Sequence, residues 1–151
     1  VRYFFLMRGM NTHLNFDMDL ARNESEENPV YYLQYAHARL CNILKHAHNV
    51  GIVLNDDADV TLLQLESEIQ LIKYIMEFPA IVEKAHDSLE PQSIANYLHA
   101  LAGKFHRYYA NERIITNDME QTASRIILVQ AIKIVLCNGL NILGIHAPER
   151  M

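Results

Sequence analysis

The segment Asn28-Pro29-Val30-Tyr31-Tyr32-Leu33-Gln34-Tyr35-Ala36-His37-Ala38-Arg39-Leu40 opens a helix and shows which side of it is buried. Asparagine before proline is a helix-start pair. The Asn side chain accepts from an orphan backbone N–H, and proline at the first helical position gives up a donor that had no partner. Followed to the stop at Gly51, the segment predicts one helix of about 22 residues, about 33 Å long. Leu33, Ala36, Leu40, Ile43, Leu44 and Ala47 recur at steps of three and four and make an apolar stripe. Tyr31, Tyr35, Arg39 and Asn42 line up on a neighbouring face. A row of flat rings beside a guanidinium suits stacking on bases or fixing a partner helix, and spacing alone leaves both open.

Downstream, Asp59 reads as the N-cap of a helix from about Val60 to Phe78, with Leu62, Leu65, Ile69, Ile72 and Met76 on its stripe. Pro79 ends or kinks it, and Ile81, Val82 and Ala85 continue a shorter helix. Pro91 starts another, with Ile94, Leu98, Leu101, Ala102 and Phe105 inward. It ends in Lys104-Phe105-His106-Arg107-Tyr108-Tyr109-Ala110-Asn111, a second interleaving of cations and aromatics. The span from about Met119 to Gly139 is apolar on nearly all sides, as expected of a central helix buried by its neighbours.

Upstream, residues 1 to about 9 read as the end of a helix stopped by Gly9. Leu14 to Leu20 alternates with period two, a strand pattern, but the chain offers no second strand to pair with it. A short helix or extended segment packing Leu14, Phe16, Met18 and Leu20 is the expectation. Glu24, Glu26 and Glu27 form a solvated acidic run. The fold class is all-α: a bundle of about five to seven helices.

The chain has 151 residues, enough for one domain with a real core, and 50% of them are hydrophobic. No apolar run approaches the roughly 18–20 residues of a membrane span, since Gln130, Lys133 and Asn138 interrupt Ile126–Leu140. The start, Val1 rather than Met, suggests an excised or processed piece and lacks the look of a signal peptide. Cys41 and Cys137 sit at inward-looking helical positions, which fits a reducing compartment. A net charge of −5 argues against a bulk polyanion binder. Any contact with nucleic acid must come from a local patch and from bases.

Signatures of catalysis are missing: there is no glycine loop for phosphate, Cys-x-x-Cys pair, His-Glu-x-x-His or nucleophile elbow. His46 and His48 diverge on a helix, and His37 with Cys41 lacks a third ligand. Asn55-Asp56-Asp57-Ala58-Asp59 with Glu66 imitates a calcium loop, but Val60 stands where the sharp turn needs glycine. No metal, cofactor or catalytic residue is expected of this chain itself.

Four separated blocks carry a family resemblance: Val1–Arg8, Leu14–Ala21, Asn28–Arg39, and Leu143-Gly144-Ile145 with Ala147–Met151. In order and over nearly the whole chain, they resemble the C-terminal part of class I arginyl-tRNA synthetases. Val1-Arg2 matches the end of the Asp-Ala-Leu-Arg-like tetrapeptide that names the family's helical anticodon-binding domain. The resemblance implies that residues 1–22 join the bundle to a catalytic domain and that 23–151 form the anticodon-binding domain. Arg2, Tyr3 and Phe5 would then have faced the catalytic domain and be exposed here.

The same resemblance implies recognition of the anticodon stem-loop of an arginine tRNA through its middle cytosine. Tyr35, Ala38 and Arg39 carry over from the first helix, Arg107, Tyr108 and Tyr109 from the second cluster, and Arg150 and Met151 from the tail. Tyrosines and methionine would stack or make apolar contact, and arginines would meet phosphates. The whole enzyme would be a cytoplasmic, monomeric arginine–tRNA ligase using ATP with magnesium, with no membrane partner. This chain would not aminoacylate alone. The residues leave two alternatives: the anticodon domain of a cysteinyl or methionyl synthetase, and a helical protein-interaction domain.

Overall fold

Asn28 starts the long helix as its sequence requires. Its Oδ1 accepts from the backbone N–H groups of Val30 at 3.1 Å and Tyr31 at 3.4 Å. The computed structural model of the chain describes residues 1–9, 12–13, 16–52 and 57–151. In order these form α1 (Arg2–Leu6), α2 (Met18–Arg22), α3 (Pro29–Asn49), a 3-10 turn (Val60–Leu62), α4 (Glu66–Met76), α5 (Phe78–Ser88), α6 (Gln92–Asn111) and α7 (Met119–Ile142). No strand occurs among the described residues. The architecture is the all-α bundle expected.

Helix α7 is the central post, packed by α3, α4, α6 and the 3-10 turn. Ile126, Val129, Ile132, Leu136 and Leu140 are its buried ridge, and Leu33, Leu40, Leu98, Leu101 and Phe105 meet it from α3 and α6. Each such side chain removed from water contributes about 1.5–3 kcal/mol. Contrary to the sequence reading, α7 is long and apolar enough, by length and composition, to cross a membrane. Here half of that apolar window is buried inside the bundle.

Several boundaries differ from expectation for local reasons. The helix expected over Val60–Phe78 is split. Asp59 caps only the 3-10 turn, accepting from the Thr61 N–H at 2.9 Å and the Thr61 hydroxyl at 2.6 Å. A new helix starts at Glu66, where Glu68 turns back to accept from the Leu65 N–H at 3.0 Å. Pro79 falls in the first turn of α5, so the break precedes it at Glu77.

Near the N-terminus, Asp17 caps α2 with bonds from Asp19 and Leu20, both 2.9 Å. The alternating residues pack unevenly: Phe16 stacks on Phe5 and meets Phe4 edge-on, whereas Met18 is exposed. Leu14, and Asn55 and Asp56 of the calcium-like stretch, lie outside the described residues. Tyr3 is also not exposed as expected. It is buried against α6, its hydroxyl donates to the Ala95 carbonyl at 3.3 Å, and burial pushes its pKa up to about 12. Phe5 on the opposite side stays open to solvent. Cys41 and Cys137 are half-buried and free, and burial pushes the Cys41 thiol up.

Candidate nucleic-acid interface

The outward face of α3 carries the first half of the site. Tyr31 and Tyr35, four residues apart, stack with centroids 6.4 Å apart and planes 8° from parallel. One turn on, the Arg39 guanidinium lies 4.5 Å from the Tyr35 centroid and donates to the Tyr35 hydroxyl. From α6, the Tyr109 ring closes on the same guanidinium at 5.2 Å. Arg39 is thus held between two rings by cation–π attraction. The ion pairs among the described residues are Glu68–Arg125 and His86–Asp87, so Arg39 braces no carboxylate.

His106 fixes this arrangement from behind. Its Nδ1 is 3.2 Å from Arg39 Nη1. A guanidinium only donates, so Nδ1 accepts and the neutral ring carries its proton on Nε2. That Nε2 is buried without a partner. Tyr32 and Tyr35 pack on the imidazole at 4.9 and 5.9 Å. Burial first, then the Arg39 charge, hold the His106 pKa below its ordinary value.

The C-terminal tail brings in the third component. Gly144, with φ +65°, turns the chain out of α7, and the Ile145 N–H closes on the Leu140 carbonyl at 2.9 Å. The tail then crosses α3 as a strap. Gln34 Nε2 donates to the His146 carbonyl at 2.9 Å, and His37 Nδ1, necessarily protonated, donates to the Pro148 carbonyl at 2.8 Å. His37 is therefore a buried structural histidine. The Gln34 and His37 bonds hold the tail whose last residue, Met151, lines the site.

Tyr35, Ala38, Arg39, Tyr109 and Met151 converge on one cleft of about 580 Å³. Ala38 is its buried floor, and Asn42 and His46 extend it along α3. Glu112, Arg113, Ile114 and Ile115 form the opposite wall. Sequence reasoning missed that wall and His46. The only signal for the wall was that it follows the second aromatic cluster.

Three expected residues lie outside the cleft. Tyr108 is 2% exposed, and its hydroxyl donates to Glu68 Oε1 at 3.0 Å. It cannot present a face to a base, because its position on α6 points into the core. Arg107 is exposed but borders a separate small cavity with Lys104 and Asn111. Arg150 lines a third cavity that meets the cleft at Asn42.

Tyr108 instead supports the wall. Glu68, 0% exposed, also accepts from Arg125 Nε at 2.8 Å, and Arg125 Nη1 donates to the Arg113 carbonyl at 2.6 Å. Burial and the Glu68 charge push the Tyr108 phenol up, so it remains a donor.

Residues 33–151 match the DALR anticodon binding domain family. The chain is 50% identical over 150 residues to the arginine–tRNA ligase of Salinibacter ruber and 44% identical over 152 residues to that of Carboxydothermus hydrogenoformans. In each case 99% of the chain is covered, and it spans 27% of the relative. Among solved structures it superposes on a putative arginyl-tRNA synthetase from Campylobacter jejuni (TM-score 0.84, 28% identity) and on the Thermus thermophilus arginyl-tRNA synthetase (TM-score 0.83, 28% identity). Each covers 99% of this chain, which corresponds to 32% and 26% of those chains respectively.

Proposed function

Since the chain belongs to the DALR anticodon binding domain family, we propose that it is the part of an arginine–tRNA ligase that reads the anticodon stem-loop of an arginine tRNA. The relatives named above favour this over the cysteinyl, methionyl and protein-interaction alternatives. Residues 1–22 lead from the catalytic domain and 23–151 do the reading. Arginylation with ATP and magnesium belongs to the remainder of the ligase, which acts as a cytoplasmic monomer.

The observation that carries the reading is the convergence of Tyr35, Arg39, Tyr109 and Met151 on one open cleft. Sequence-specific readers of RNA take an unstacked base between flat side chains and offer polar groups to its edges. Tyr35, Tyr109 and Met151 supply the faces, Ala38 an apolar floor, and Arg39 a donor fork. Arg107 and Arg150, on the flanks, meet phosphates. Each base–ring stack is worth about 1–3 kcal/mol, so a domain of net charge −5 can hold RNA with few cations.

The test is a titration of the anticodon stem-loop, with the middle cytosine intact or replaced. Saturable binding that weakens on replacement of the cytosine supports the reading. Equal affinity for all four bases at that position rejects it.

A further inference from the structure

Beside the aromatic cleft, sharing Asn42 with it, lies a smaller cavity of about 180 Å³ to which three elements each bring one cation. Lys45 comes from α3, Lys133 from α7 and Arg150 from the tail. Glu149 is the single carboxylate lining it, so three positive charges against one negative leave a local excess of two on an acidic domain. None of the three cations belongs to an ion pair among the described residues. Lys45 and Arg150 are exposed and Lys133 is half-buried.

Elements distant in sequence have thus been brought to one spot with their charges unspent. On α3, Lys45 lies three residues beyond Asn42, about 4.5 Å along the axis. Arg150 adjoins Met151, which lines the cleft. Cations concentrated in a concavity raise the local potential well above that of the same charges scattered over a surface.

We propose that Lys45, Lys133 and Arg150 form a phosphate subsite that holds the backbone of the RNA strand as it leaves the aromatic cleft. The proposal rests on the reading above and extends it with two lysines beside the cleft. The subsite's three cations meet phosphate charge, which is the same for every base. It holds any sequence alike, and the cleft does the choosing.

The experiment uses the chain with Lys45→Gln and Lys133→Gln together, leaving Arg150 and the cleft untouched. Stem-loop affinity is measured against salt for the cytosine loop and its base-substituted controls, with circular dichroism confirming the helices. Two lost phosphate contacts should make the slope of log K against log salt shallower by about 1.4, at ~0.7 per contact on single strands. Affinity should fall by the same factor for every base, leaving the preference intact. An unchanged slope overturns the subsite while the cleft reading stands. A shallower slope in a chain whose parent shows no cytosine preference upholds the subsite and rejects the cleft reading. A parent chain that binds no RNA overturns both.

Discussion

Tyr108 and Tyr109, adjacent in sequence, turn to different surroundings: one hydroxyl donates to buried Glu68 at 3.0 Å, while the other ring lies 5.2 Å from the Arg39 guanidinium at the surface. The two substitutions should therefore separate binding from stability. Tyr109→Ala is expected to weaken stem-loop binding by about 5- to 150-fold, the worth of one stack, with little change in melting temperature. Tyr108→Phe should cost about 1–3 kcal/mol of stability by leaving the buried carboxylate short of a donor. Its binding, measured where it is fully folded, should stay near that of the parent. The reverse pattern would move recognition to Tyr108.

Arg125→Met should be among the most damaging single changes. It leaves Glu68 buried without its cation, at a cost of about 3–5 kcal/mol. Adding Glu68→Met should recover much of that loss, because the unpaired charge goes with it. Urea denaturation of the two variants checks the order, and a double variant less stable than the single one would refute it.

Acid should loosen the cleft through His106. Its pKa is depressed in the folded state, so the unfolded chain binds the proton more readily. The stability this contributes is full above about pH 6.5 and is lost as pH falls through the folded value. Protonation would also turn the Nδ1 acceptor into a donor facing Arg39, with Glu26 the carboxylate opposing that repulsion. Below about pH 6.5, His106→Gln should lose less melting temperature than the parent. Parallel curves would remove His106 from the account.

Beyond His146, which Gln34 holds, the strap is fixed by one ring nitrogen. His37→Ala should free the tail beyond residue 146, raising amide exchange there, and weaken stem-loop binding by withdrawing Met151. His37→Asn places an amide donor near the position of Nδ1 and should restore part of both. Rescue absent from both readouts would mean the Pro148 bond does not hold the tail.

At Gly139, α7 lies close against Leu98 of α6. A Cβ there would come within 3.0 Å of Leu98 side-chain atoms, and Leu98 is fully buried. Gly139→Ala should cost about 1–3 kcal/mol by overpacking, eased by Leu98→Val. A thermal melt of each variant decides it.

What could be read from the chain follows from what is local. The start of α3 at Asn28-Pro29, its stripe and the apolar α7 were legible because spacing within one helix states which residues share a face. That Tyr35 and Arg39 share a face was legible for the same reason. Tyr108 and Tyr109 were not separable, because neighbouring residues on a helix point about 100° apart and only the packing of α6 decides which one turns inward. The split at Glu66 was hidden too. Glu68 looked like any early helical acid, and its partner Arg125 is 57 residues away.

The four bonds at Glu68 and Arg125 join α4, α6, α7 and the Arg113 wall through two side chains. The wall is thereby tied to the core, so opening it breaks the bond from Arg125 to the Arg113 carbonyl. That bond opposes movement of the wall away from the rings, so a ligand should meet a surface held near its final shape. Association should then carry little ordering cost on the protein's side, so related RNA sequences differ chiefly in how long each one stays.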